Sequence, residues 1–202
     1  MYWVAIRPVY AYDCKFILCA YTCTDASNAS SQCTNAFISM DSLLTPPDDL
    51  RFRDRAQRII PSLNFSCDGA ISKWIIRARW NGGGTAFPDL QVWRSGNGVY
   101  TKVGNTTLYA NESNSNSVYE MAVKPSLPFR RGDTLGIFQP SGNRSRLRIH
   151  YINGSGNPLN FVFKPNDSVT EAPLKTFTTT SSENTHQTVL PFVTVEICKS
   201  CV

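Results

Sequence analysis

The sequence predicts an all-β fold, an antiparallel β-sandwich of jelly-roll type with a Cys-containing N-terminal extension. Three observations carry that prediction. Seven short segments alternate apolar and polar residues with a period of two, which gives an extended strand one dry and one wet face. Between them lie "NGGG", "SGNG", "NESNSN", "SGN" and "NGSGNP", rich in residues that tolerate positive φ or hydrogen-bond their own backbone. No segment spaces its apolar residues three and four apart, as a helix would. Seven or eight short strands joined by such turns describe a sandwich or a barrel.

Along the chain, residues 1–45 hold Cys14, Cys19, Cys23 and Cys33 among Thr, Asn and Ser. The spacing C-x4-C-x3-C-x9-C is not that of a zinc site, and no histidine accompanies it. The segment reads as part of a small disulfide-bonded module or as an N-terminal tail. Residues 46–56, with Pro46-Pro47 and a dense run of charges, read as a linker. The β-module is expected over 57–197, followed by a Cys tail at 198–202.

Within the module, "ISKWIIRARW" (71–80) puts Trp74, Ile76, Ala78 and Trp80 on one face and Lys73, Arg77 and Arg79 on the other, with Ile75 the exception. "PDLQVWR" (88–94) sets Leu90 and Val92 against Asp89, Gln91 and Trp93. The same alternation recurs at 117–123 (Tyr119, Met121, Val123), 134–138 (Leu135, Ile137) and 146–152 (Leu147, Ile149, Tyr151). It returns at 159–163 (Leu159, Phe161, Phe163) and 192–197 (Val193, Val195, Ile197). One shared core of Trp74, Ile76, Trp80, Leu90, Val92, Leu135, Ile137, Leu147, Ile149 and Phe161 is expected. The Thr/Ser-rich stretch 164–189 reads as a long loop before a closing strand.

Composition bounds the compartment. Hydrophobic content of 42% supplies a core, and charged residues are only 17%, below the roughly 25% of an ordinary soluble domain. A net charge of +5 is too weak to argue for nucleic acid, and none is expected as a partner. Asn-X-Ser/Thr sequons stand at Asn28, Asn64, Asn105, Asn111, Asn143, Asn153 and Asn166, where 15 Asn would give roughly three by chance. Seven cysteines lie mostly toward the two ends, which reads as disulfide chemistry in an oxidising compartment. An odd count leaves one free, paired with another chain, or separated from its partner by truncation. Cys67 is expected to bridge to Cys198 or Cys201, because first and last strands of a sandwich are often neighbours.

Arg7, Asp13 and Lys15 interrupt the apolar start, so no signal peptide can be drawn, and no run reaches the 18 or so residues of a membrane span. The expectation is a piece of a larger extracellular or cell-surface chain.

The segments "IIPSLNFSCDGAISKWIIRARW", "FPDLQVWR", "VYE", "LPFRRGDTLGIFQP", "SRLRIHY", "NFVF" and "LPFVTVEI" follow in an order that resembles an uncharacterised module. That module repeats in large extracellular and cell-surface proteins of early-branching animals. The resemblance spans about 57–197. It rests on Cys67-Asp68-Gly69 with Lys73-Trp74, on Pro88, Gln91 and Trp93-Arg94, and on Gly132-Asp133 with Leu135-Gly136 and Phe138-Gln139-Pro140. It implies an extracellular β-rich module of receptor-like or adhesion-like proteins, and brings no catalytic or ligand residues with it.

Enzyme readings fail on inventory. There are two histidines, His150 and His186, and no nucleophile elbow, H-E-x-x-H, P-loop or dinucleotide fingerprint. "NGGGT" lacks the Lys-Ser/Thr of a phosphate loop. A carboxylate pair drawn from Asp68, Asp89, Glu120 and Asp133 would be the route to a secreted hydrolase. No catalytic residue, metal or cofactor is assigned.

Arg131-Gly132-Asp133 spells the tripeptide that integrins read, but Gly-Asp before an apolar alternation is turn chemistry, and integrin binding is not expected. Lys73, Arg77, Arg79, Arg94, Arg144, Arg146 and Arg148 form a candidate polyanion-binding face if their strands are neighbours. Trp93, Tyr100 and Tyr109 are candidate exposed aromatics for sugar stacking, or else packing residues. The sequence therefore points to a non-catalytic extracellular binding, adhesion or spacer module with a protein or glycan ligand. The alternative is a glycan-binding lectin-like jelly roll.

Overall fold

The computed structural model describes residues 50–114, 117–153, 159–163, 176–178 and 185–199. The four N-terminal cysteines, Asn28, Asn166 and Cys201 lie outside the described residues. Among those described there is no helix, and twelve strands form two antiparallel sheets. They are β1 (Ala56–Asn64), β2 (Gly69–Trp80), β3 (Asp89–Gly96), β4 (Val99–Thr107), β5 (Val118–Phe129) and β6 (Thr134–Gln139). Then follow β7 (Leu147–Ile149), β8 (Tyr151–Asn153), β9 (Leu159–Phe163), β10 (Thr176–Thr178), β11 (Thr185–Pro191) and β12 (Val193–Lys199). The larger sheet runs β10-β4-β3-β6-β1-β9-β11-β8; the smaller runs β12-β2-β5, with β7 also paired to β2.

The two sheets contribute to a single apolar core. Ile60, Leu90, Val92, Leu135 and Ile137 come from the larger sheet, and Trp74, Ile76, Ala78, Leu147 and Ile149 from β2 and β7. Fully burying one such aliphatic side chain is worth roughly 1.5–3 kcal/mol, so this cluster is the main source of stability. Trp80 is only partly buried at its margin.

Phe161 departs from expectation. It packs on the opposite face of the larger sheet, beside the cluster of Ile59, Trp93 and Tyr100. Ile75, which broke the alternation of β2, is buried in a third small cluster with Val118 and Phe192. Its face is covered, so an apolar residue there needs no exception.

Turn residues act as their chemistry requires. Asn97 and Gly98, both at positive φ, join Gly96 to its cross-strand partner Val99, a two-residue turn whose twist matches the flanking strands.

The differences from expectation are instructive. Twelve strands replace seven or eight, because β1, β4, β10 and β11 carry no clean alternation. The expected loop 164–189 contains β10 and the start of β11. The single strand expected at 146–152 divides at His150, whose backbone N–H donates to Arg77 O at 3.0 Å. Residues 50–56 do not behave as a linker. Phe52 is buried in the core and its N–H donates to Ile149 O at 3.0 Å, while Arg51 forms a bridge with His150.

Candidate functional site

The seven cations are not one face. Lys73 lies between two strands and pairs with Glu120 of β5 at 3.1 Å and Glu196 of β12 at 2.8 Å. Its hydrogen bonds to Glu196 and then Glu120 raise its pKa, and its charge is spent there. Arg94 is on the larger sheet, where its guanidinium grips Asp133 with Nε–Oδ1 and Nη2–Oδ2 both at 2.8 Å. Arg144 is exposed at the 141–145 turn.

The remaining cations do converge. Antiparallel register sets Arg79 of β2 opposite Arg148 of β7, and places Arg77 beside His150 and Asn81 beside Arg146 through backbone hydrogen bonds of 3.0 and 2.7 Å. Between this row and the connection from β4 to β5 lies a groove of about 400 Å³ lined by Arg77, Arg79, Trp80, Asn114, Ser117 and His150, with Ser113 at its rim.

Local structure holds the groove's walls. Arg148 donates from Nε and Nη2 to Gly142 O at 3.0 and 2.6 Å. Arg146 donates from Nε to Gly84 O at 2.6 Å and lies over the rings of Trp80 and Phe87 at 5.6 and 5.9 Å. The glycines of "NGGGT" thus have a structural use. A Cβ at Gly84 would stand 2.5 Å from the backbone carbon of Ser145, so only glycine lets this loop seat against the 144–146 segment. On the far wall, Asn114 donates from Nδ2 to Val118 O at 2.5 Å and its N–H reaches the Tyr119 hydroxyl at 3.1 Å. No carboxylate lines the groove among the described residues.

Asn114 and Ser117 were not legible as site residues. They sit in "NESNSN", which reads as turn chemistry, and only the sheet order brings that turn across from Arg77 and Arg79.

The Arg-Gly-Asp tripeptide is clasped into the fold. Gly132 has φ of +86°, and Asp133 N–H donates to Arg130 O at 3.0 Å, a turn that demands a residue at ease with positive φ at its third position. Arg131 N–H donates to Asp68 Oδ1 at 2.7 Å, and Arg130 N–H to Asp133 Oδ2 at 2.8 Å. The Asp133 side chain is 2% exposed, while the Arg131 residue is exposed.

Each of the four carboxylates considered for hydrolysis has its own structural partner. Asp133 holds Arg94, Glu120 holds Lys73, and Asp68 caps the Arg131 amide. Asp89 accepts a hydrogen bond from the Thr107 hydroxyl at 2.5 Å. Burial raises the Asp89 pKa, opposed by that hydroxyl and by Lys102.

The aromatic candidates separate. Trp93 is fully buried, its Nε1 donating to Gln91 Oε1 at 2.8 Å, and Tyr100 is buried beside it. Neither is an exposed stacking surface. Tyr109 is 70% exposed and tilted against Phe87 at 4.9 Å. All five described sequon asparagines, Asn64, Asn105, Asn111, Asn143 and Asn153, are exposed. Cys67 is disulfide-bonded and lies two residues before β2; on the neighbouring β12 the backbone of Cys198 pairs with Ala70.

Among the described residues no cluster of His, Cys, Asp and Glu could hold a metal, and no helix is long and apolar enough to cross a membrane. No family model matches this chain, and neither a curated protein nor a solved structure matches it.

Proposed function

We propose that this chain is a non-catalytic binding module of an extracellular or cell-surface protein, a jelly-roll β-sandwich that recognises anionic glycans through the groove of Arg77, Arg79, Trp80 and His150. One observation carries the reading: this groove is lined by two arginines, Arg77 and Arg79, with no lining carboxylate among the described residues. Arg79 and Arg148 stand directly opposite one another, and like charges so placed repel. A sulfated or uronate-bearing chain relieves that repulsion, and a concave low-dielectric wall concentrates the field that draws it in. Trp80 offers part of a ring as an apolar platform for a sugar.

Support for the extracellular setting comes from the five exposed sequon asparagines and the bridged Cys67. The resemblance over 57–197 to modules of large cell-surface proteins agrees with it. Support for a sandwich is the one core fed by both sheets. The commitment of Asp68, Asp89, Glu120 and Asp133 to separate partners favours binding over hydrolysis, and the burial of the Asp133 carboxylate speaks against integrin attachment through it.

The test is retention on immobilised heparin at low salt, with a neutral dextran column as control. Wild type is expected to bind heparin alone and to elute with added salt, since exposed charge pairing is screened. Arg79→Glu should elute at clearly lower salt with a Tm no lower than that of wild type, since it places opposite charges across from one another. Wild type that flows through, or a variant that elutes with it, overturns the reading.

A further inference from the structure

A second cationic recess lies on the other side of the Leu147–Asn153 segment, and its floor is unusual. Arg58 sits in β1, an interior strand of the larger sheet between β6 and β9. It is 2% exposed. Its Nε and Nη1 have no hydrogen-bond partner, and what it touches is the face of Phe52, with the guanidinium carbon 4.0 Å from the ring centroid. Tyr151 stacks on Phe52 at 4.5 Å.

Above this stack opens a space of about 410 Å³ that Arg58 lines together with Arg51, Phe52, Arg53, Asp54 and Tyr151. A buried cation with unmet donors is costly, because the attraction of the nearby Asp54 carboxylate offsets its desolvation only in part and no acceptor meets Nε or Nη1. Ring contact recovers only part of that cost. Three guanidinium groups against one carboxylate leave the recess in net positive charge. Burial lowers the Arg58 pKa to about 10, which still leaves it charged at neutral pH.

We propose that this recess is a separate ligand site in which the buried Arg58 receives a single oxyanion group, with Arg53 at the exposed rim adding charge. It differs from the groove in what it selects. The groove runs along a strand pair and suits a polymer; the recess ends on one guanidinium and suits one sulfate or phosphate group, free or as a terminal ester.

The experiment is a thermal-shift titration at pH 7 with sodium sulfate, sodium phosphate and sodium chloride at matched ionic strength, on wild type and Arg58→Met. Methionine keeps an unbranched apolar stem beside Phe52 and removes the charge. Wild type is expected to show a saturable Tm rise of a few degrees with sulfate or phosphate above chloride. Arg58→Met is expected to keep only the small, non-saturating rise that excluded salts give any protein, and to melt no lower than wild type in chloride. Arg79→Glu should keep the full saturable response, so failure of the groove and failure of the recess are told apart. A glucose 6-sulfate arm that saturates at lower concentration than free sulfate identifies the ester as the source; the reverse order identifies the free ion. Should Arg58→Met fail to fold, Arg53→Gln at the exposed rim must raise the sulfate midpoint by roughly threefold. Identical saturating responses in wild type and Arg58→Met, an unchanged midpoint in Arg53→Gln, or no saturable response in wild type overturn the proposal.

Discussion

Arg94 and Asp133 meet through two hydrogen bonds of 2.8 Å across the β3–β6 pair. They stand just past Trp93 and Thr134, which pair in register. Arg94 is partly exposed and Asp133 is not, so the pair is asymmetric: removing the arginine strands a buried carboxylate. The hydrogen bond to Asp133 is also the main reason the Arg94 pKa is raised. Arg94→Ala should lower stability by about 2–3 kcal/mol in urea unfolding. Arg131→Ala, which removes an exposed side chain from the same turn, should leave stability and any cell attachment unchanged. Equal losses for the two variants would show that the turn, rather than the ion pair, is what matters.

Two glycines should fail for different reasons. A Cβ at Gly132 would meet nothing within 4 Å, but its φ is +86°; the cost is one of backbone strain. A Cβ at Gly136 would fall on Nε1 and Cδ1 of the buried Trp93; the cost is one of packing. Gly136→Ala is expected to cost about 1–3 kcal/mol and to change near-UV circular dichroism as Trp93 shifts. Gly132→Val should cost about the same while leaving the Trp93 signal intact. The same spectral change in both would contradict the separation.

Asp89 makes stability depend on pH in a direction opposite to that of most carboxylates. Its folded pKa is raised by burial above an ordinary value near 3.8, so the folded state binds the proton more readily than the unfolded one. Its contribution is best below 3.8 and declines as pH rises through the raised folded value, after which it is constant. Asp89→Asn keeps an acceptor for Thr107 without the charge. It should therefore be more stable than wild type at pH 7 and indistinguishable from it near pH 3. Thermal unfolding of both proteins over that range measures it; a destabilised variant at pH 7 would mean the charge is favourable.

The partner of Cys67 can be anticipated from register. Cys198 pairs with Ala70 and Lys199 with Gly69, which brings the end of β12 to the start of β2, two residues after Cys67. Trypsin cuts after Lys199 and separates the two candidates. Non-reducing peptide mapping should find Cys67 linked to the peptide ending at Lys199 or to Ser200-Cys201-Val202; linkage to a peptide carrying Cys14, Cys19, Cys23 or Cys33 would refute the argument.

What the sequence by itself determined was local. The dry and wet faces of β2, the Asn97-Gly98 turn and the need for glycine at 132 depend only on neighbours along the chain, so period and turn chemistry reveal them. The tertiary structure decided which residues are covered twice and which charges meet. β1 reads poorly because Gln57, Arg58, Ile59 and Ile60 are all buried: a strand covered on both faces has no polar side, and alternation vanishes. Trp93 lies on the face that alternation marks as wet, yet Ile59 and Tyr100 bury it. Seven cations looked equivalent in sequence, but sheet order handed Lys73 to two glutamates and Arg94 to Asp133. It gathered Arg77 and Arg79 against Arg146 and Arg148. Charge has no period, so its partners are fixed only when strands far apart in sequence become neighbours in a sheet.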